Sequence, residues 1–184
     1  MKIAITGDTY GIGLELKKIF ESAGHTVVGF SRATGYDISR PADQDRIVEE
    51  SKDCEIFLNN AYSEDNGFAQ VELLFKLHNQ WKGQDRRIIN FGSSITMRWS
   101  NKHPIKMYRS CKKSLDEATE FLNNDSSLPR ITMIKPCATK TPGNERRAGS
   151  MILKRHTAQD VADLIAYCIL HPTIQIAELS LFGL

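Results

Sequence analysis

The sequence predicts one α/β domain, a doubly wound, mostly parallel sheet with helices on both faces. Three observations predict it. Apolar runs of strand length alternate with helical patterns along the chain, as βαβ units require. A strand at the N-terminus runs straight into Gly7, Gly11 and Gly13, which open a helix. The length of 184 residues suits a single core, so residues 1–184 are read as one domain.

The elements follow in order. Lys2–Thr6 is the first strand, and Ile12, Leu16, Ile19, Phe20 and Ala23 then recur at helical spacing until Gly24. Thr26–Phe30 is the second strand, with a short extended piece around Tyr36–Ile38. Pro41 and Asp43 open a helix to about Lys52, and Glu55–Leu58 is the next strand. Phe68–Lys82 is a helix and Arg87–Phe91 a strand. A long helix covers roughly Ile105–Asn123, and Ile131–Lys135 is a strand. Thr141–Arg155 has little periodicity and reads as a mobile loop. Thr157 with Asp160 forms a capping box that opens a helix to about Leu170, and Glu178–Phe182 closes the sheet.

Composition excludes several classes. The apolar fraction is 41% and the charged fraction 25%, ordinary for a soluble globular protein. A net charge of +2 gives no reason to expect a nucleic-acid or membrane-surface partner. No apolar run is long enough to span a bilayer, and the N-terminus lacks a secretory signal. Cys54, Cys111, Cys137 and Cys168 show no metal-site spacing and no CxxC. They read as reduced thiols, which places the chain in the cytoplasm, and no metal site is expected.

The glycine loop carries the first chemical signal. Gly7 can make the tight turn out of the strand, Gly11 admits a phosphate, and Gly13 lets the helix pack on the sheet. The helix N-terminus then turns free N–H groups toward a pyrophosphate. A loop that binds nothing is the plain alternative, but the strand–turn–helix context favours a dinucleotide. After the second strand, where a carboxylate would bind the ribose hydroxyl of NAD, the chain has Ser31 and Arg32. A guanidinium there pairs with a 2′-phosphate, so NADP(H) is favoured over NAD(H). Otherwise Arg32 is a solvated surface arginine.

The second signal is Tyr108 and Lys112, four apart and therefore on one helix face. A phenol is a poor acid–base group near neutrality, and a nearby ammonium favours its phenolate form. Ser93, at a strand end, could bond a carbonyl oxygen, with Ser94 as the alternative. Taken singly, each of these is a common surface feature.

Together, in order, these segments resemble the short-chain dehydrogenase/reductase family over nearly the whole chain. Thr6-Gly7, Gly11, Ile12 and Gly13 resemble its TGxxxGIG cofactor loop, with Thr9 and Tyr10 inside it. Asp37-Ile38 resembles its adenine-contacting pair, and Asn59-Asn60-Ala61 the start of its NNAG motif. Ser93, Tyr108 and Lys112 fall on its catalytic serine, tyrosine and lysine. Pro136, Thr139 and Thr141 lie in the stretch that resembles its PGxxxT segment beside the nicotinamide.

The resemblance implies a Rossmann-type fold and carbonyl–alcohol interconversion by hydride transfer with NADP(H). It makes Tyr108 the general acid/base, Ser93 the group that orients the substrate carbonyl, and Lys112 the ribose-binding amine. An asparagine completes the family's proton relay, and Asn66 is the nearest fit here; the alternative is a loop or helix-cap residue. A small carbonyl or alcohol is the implied substrate, and a homodimer or homotetramer the implied assembly. Tyr62 and Cys137 replace family glycines, and the short Ala61–Ser93 interval implies a missing flank helix. Basic residues in Met97–Lys106 and Glu145–His156 suggest an anionic substrate, or more plainly solvated charge beside cofactor phosphates. Two other functions stay open: a dinucleotide-binding regulator without turnover, and a non-redox epimerase or dehydratase.

Overall fold

The computed structural model describes residues 1–97, 103–141, 156–171 and 176–182. Its centre is a six-stranded sheet in the order β2-β1-β3-β4-β5-β8. The strands are β1 (Lys2–Thr6), β2 (Thr26–Phe30), β3 (Ile56–Asn59), β4 (Arg87–Phe91), β5 (Arg130–Lys135) and β8 (Glu178–Ser180). All five pairings are parallel. A separate pair, β6 (Thr139–Lys140) and β7 (His156–Thr157), is also parallel.

Among the described residues, five helices cross between strands: α1 (Gly11–Ser22), α2 (Pro41–Glu50), α3 (Ala69–Trp81), α4 (His103–Asp125) and α5 (Ala158–Leu170). α1 packs against α5, while α2 meets α3 and α3 meets α4. A sheet covered on both faces needs strands that are apolar throughout, and β3 and β5 are buried at nearly every position. Alternate side chains serve two cores. Ile3, Ile5, Ile56, Leu58 and Ile89 join Leu16, Phe20 and Ile165 on the α1–α5 side. Ala4, Phe57, Ile88 and Ile131 join Leu73, Leu77, Trp81 and Leu115 on the other.

The chain steps from β1 outward to β2, then returns to β3 on the opposite side of β1. Strand order therefore reverses between β1 and β3, where an open parallel sheet leaves a crevice beyond its carboxyl ends. Gly7 and Asn60 leave the two strands at that point.

Most predicted elements stand within a residue or two. Thr157 caps α5, with Asp160 bonded back to it in the expected reciprocal box. One element does not form. The extended piece at Tyr36–Ile38 is irregular chain after a short 3-10 turn at Arg32–Thr34, and Ile38 instead plugs the core at 5% exposure. The Ala61–Ser93 interval holds one crossover helix, α3. The closing strand is shorter than predicted, and the β6–β7 pair was not anticipated. The mobile-loop expectation for 142–155, and the basic residues placed at 98–102 and 145–155, lie outside the described residues.

Candidate active site

The glycine loop is built for close approach. Gly7 and Gly11 have φ of 74° and 62°, the left-handed region that a side chain disfavours. A Cβ on Gly13 would lie 2.2 Å from the Gly7 carbonyl oxygen and 2.7 Å from the Asn60 amide nitrogen. The first turn of α1 has no acidic residue, and its N-cap, Tyr10, makes no side-chain cap bond. Its leading N–H groups thus face the crevice without a capping side chain, an arrangement that fits a dinucleotide pyrophosphate. Thr9 and Tyr10 are exposed on the loop, while Ile12 packs against the α1–α5 core. Thr141 arrives from the far end of the chain, its methyl 3.2 Å from a Cβ placed on Gly11.

Asp8 lies inside this loop yet is 1% exposed, a feature not read from the sequence. Its Oδ2 accepts a 2.8 Å bond from Lys17 of α1, and that bond pushes the Lys17 amine above its usual range. Room for the carboxylate comes from Gly29 of β2, where a Cβ would sit 1.9 Å from Oδ2.

The loops after β1 and β3 are clamped together. The Thr6 hydroxyl accepts the backbone N–H groups of Asn60 and Ala61, both at 3.0 Å. The Asn60 amide donates to the Thr6 carbonyl at 2.9 Å. Thr6 is fully buried, so its side chain fixes the cradle rather than touching a ligand.

Beyond β2, Ser31 is 7% exposed and shares a reciprocal cap with Thr34. Arg32 follows it, exposed. Asp37 accepts from the Ser39 N–H and hydroxyl, at 2.9 and 2.7 Å. The Ser39 backbone bond holds its carboxyl below the usual range, with Arg32 and Arg40 adding to the effect. Asp37 therefore closes a local turn, and Ile38 is a core residue.

At the ends of β4 and β5, the Ser93 hydroxyl accepts the Ile95 N–H at 3.3 Å and is partly buried. Ser94 is nearly buried, and its N–H donates to the Pro136 carbonyl, tying the two loops together. Thr139 is buried and donates to the Cys137 carbonyl.

Tyr108 and Lys112 stand on the sheet-facing side of α4. Lys112 is 3% exposed, and its Nζ donates to Gln70 Oε1 at 2.5 Å and to the Phe91 carbonyl at 2.6 Å. Burying an ammonium requires such partners. Gln70 of α3 is in turn tied to Asn59: its Nε2 donates to the Asn59 backbone carbonyl at 2.7 Å, while the Asn59 side-chain amide donates to the Gln70 backbone carbonyl at 2.9 Å. The Tyr108 ring lies 5.6 Å from Nζ and the Tyr62 ring 5.2 Å. The two rings meet edge to face, 4.9 Å apart at 86°. Asn66 is elsewhere: it donates to Glu72 and accepts the Phe68 N–H at the start of α3. The side chain beside the ammonium is Gln70, one helical turn further on.

Sequence reasoning missed Gln70, and it marked Tyr62 only as a replacement for a family glycine. A glutamine facing inward on α3, amid Leu73, Leu74 and Leu77, was the available signal for the first. Among the described residues no cluster of His, Cys, Asp and Glu could hold a metal ion, and no helix is long and apolar enough to cross a membrane.

No protein-family model and no curated protein sequence matches this chain. Solved structures do share its fold. A short chain dehydrogenase from Burkholderia cenocepacia J2315 in complex with NADP superposes with a TM-score of 0.80 at 14% identity, covering 99% of this chain and 88% of that one. The 3-alpha-hydroxysteroid dehydrogenase from Pseudomonas sp. B-0831, complexed with NADH, gives 0.78 at 19%, covering 98% and 94%. A protein from Brucella melitensis 16M named ribose-5-phosphate isomerase gives 0.77 at 17%, covering 97% and 90%. The chain thus has the fold of short-chain dehydrogenases, a single Rossmann-type domain, and that fold is compatible with more than one named activity.

Proposed function

We propose that this chain is an NADP(H)-dependent oxidoreductase of the short-chain dehydrogenase/reductase family, interconverting a carbonyl and an alcohol. The observation that carries the proposal is the buried Lys112 ammonium beside the Tyr108 ring, on one helix face, next to a glycine cradle at the strand-order reversal. Nicotinamide dinucleotides are named in several neighbours of the same fold, both phosphorylated and not.

Gly7, Gly11, Gly13 and the α1 N-terminus would hold the pyrophosphate, with Asn60, Ala61 and Thr141 forming the rim. Arg32 would pair with a 2′-phosphate, leaving Ser31 and Thr34 to shape its turn. The dinucleotide supplies or accepts a hydride. Tyr108 Oη donates the proton to the nascent alkoxide, or takes it in the reverse direction. Lys112 stabilises the phenolate that remains, and Gln70 with the Phe91 carbonyl keeps that ammonium in place. Ser93 orients the carbonyl oxygen. Asn66 is replaced by Gln70 as the amide that completes this arrangement. Exposed Phe75, Met107 and Phe121 on α3 and α4 support a homodimer or homotetramer.

The test is loss of NADPH absorbance on a panel of small aldehydes and ketones, with Tyr108→Phe beside the native chain. Turnover should fall at least ~100-fold in the variant, the scale of a lost general acid, with NADPH affinity nearly intact. Full activity in Tyr108→Phe removes the role. A second reading, a dinucleotide-binding regulator without turnover, is favoured by one observation: Tyr62 crowds the Tyr108–Lys112 pair. Binding of NADPH without consumption of any carbonyl would select it.

A further inference from the structure

A carboxylate is buried in the loop that would take a pyrophosphate. Asp8 follows Gly7 there, and its side chain is 1% exposed. It lies against β2 and α1: a Cβ on Gly29 would stand 1.9 Å from Oδ2 and 2.9 Å from Oδ1, and Lys17 Nζ is 2.8 Å from Oδ2. The Gly7 N–H donates to the Phe30 carbonyl at 2.7 Å, which holds this part of the loop on β2. Asp8 Oδ1 is buried with no hydrogen-bond partner. Among the described residues, Lys17, in the second turn of α1, is the cation that meets this carboxylate. Asp8 stands between Gly7 and Gly11, so its charge lies within about 10 Å of any phosphate those glycines admit. A buried charge at that range is screened far less than an exposed one.

We propose that Lys17 is the counter-ion that lets an anionic ligand bind over Asp8, so that this pair sets nucleotide affinity through charge. The proposal rests on the reading of the glycine loop as the pyrophosphate site. With the pair intact, the ground beneath the loop is neutral, and the leading N–H groups of α1 act on the ligand unopposed. A carboxylate left alone there repels a phosphate, and an ammonium left alone attracts one. The two halves of one ion pair therefore have opposite effects on binding. A pair that merely braced the loop would give the same effect from either side, because losing either partner breaks the brace.

Calorimetric titration with ADP at neutral pH and fixed salt, on the native chain, Lys17→Met, Asp8→Asn and the double variant, reads the sign directly. Lys17→Met should bind ADP roughly 10- to 100-fold more weakly, as like charges about 8 Å apart at an effective dielectric of about 20 imply. Asp8→Asn, which keeps the shape of the side chain, should bind ADP more tightly than the native chain. The double variant should recover most of the affinity that Lys17→Met loses. Thermal melting shows which forms fold, and should Lys17→Met not fold, Asp8→Asn and the double variant decide the matter. Weaker binding in Asp8→Asn overturns the counter-ion, as does ADP affinity unchanged in every variant; either result leaves the nucleotide reading of the loop standing. No binding of ADP or NADPH by any form removes that reading, and the counter-ion with it.

Discussion

Replacing Gln70 by leucine and Lys112 by methionine, singly and together, asks whether the buried ammonium and its amide partner form one unit. Gln70→Leu removes the 2.5 Å bond from Nζ and the 2.7 Å bond to the Asn59 carbonyl. A bond to a charged group contributes about 1.5–3 kcal/mol and a neutral one about 1, so the loss should be ~3 kcal/mol. Lys112→Met deprives Gln70 Oε1 and the Phe91 carbonyl of the lysine's donors. Two buried acceptors losing a donor, offset by relief from burying a charge, again give about 3 kcal/mol. The double variant removes both sides of the main bond, so its loss should stay near 3 rather than the ~6 kcal/mol of the sum. Urea unfolding followed by circular dichroism gives the three values. Each single variant should also melt lower by roughly 6–12 °C, given about 2–4 °C per kcal/mol for a chain of this size. Additivity within about 0.5 kcal/mol would show that the two side chains do not act together, and the argument for the ammonium's anchoring would fail.

Gly13→Ala should weaken nucleotide binding at least ~10-fold and destabilise the chain by about 1–3 kcal/mol, because the new methyl meets backbone at 2.2 Å. Calorimetric titration and thermal melting check it, and an unaltered Kd would refute the cradle. Arg32→Ala should weaken NADPH more than NADH, and equal effects on both would remove the 2′-phosphate assignment. His78 is 2% exposed, with no hydrogen-bond partner at Nε2, and burial holds its imidazole below the usual range, with Lys82 adding to the effect. The unfolded chain therefore takes up a proton near pH 6.5 that the folded chain resists, so stability should fall as pH drops below about 6.5. That part of the slope, at most ~1.4 kcal/mol per pH unit, should vanish in His78→Leu, and an identical pH profile would contradict it.

The frame of this protein was legible because its signals are local. Lys2–Thr6 and Thr26–Phe30 are apolar runs closed by glycine or polar turns, and Thr157 with Asp160 caps a helix within four residues. The Tyr108–Lys112 spacing was legible for the same reason. What escaped depends on tertiary distance. Asp37 looked like a ligand contact, and its Oδ1 is also the acceptor for both the N–H and the hydroxyl of Ser39, two residues away. Ile38 looked extended, but the core needed its side chain. Asn66 was chosen by counting along the chain, whereas Gln70 is chosen by which face of α3 looks at α4, and only packing decides that. The Asp8–Lys17 pair gave no signal in the sequence, because the recess that holds the Asp8 carboxylate is made by Gly29 on a different strand.

That recess has a consequence for how the sequence can drift. Position 29 can accept any side chain only after position 8 has given up its carboxylate, losing the carboxylate first costs Lys17 its 2.8 Å partner, and changing Lys17 first leaves that carboxylate buried without its amine. Each single step passes through a form worse than its start, so the three sites are inherited as a block. Random mutagenesis with selection for folded protein should return them changed together or left alone.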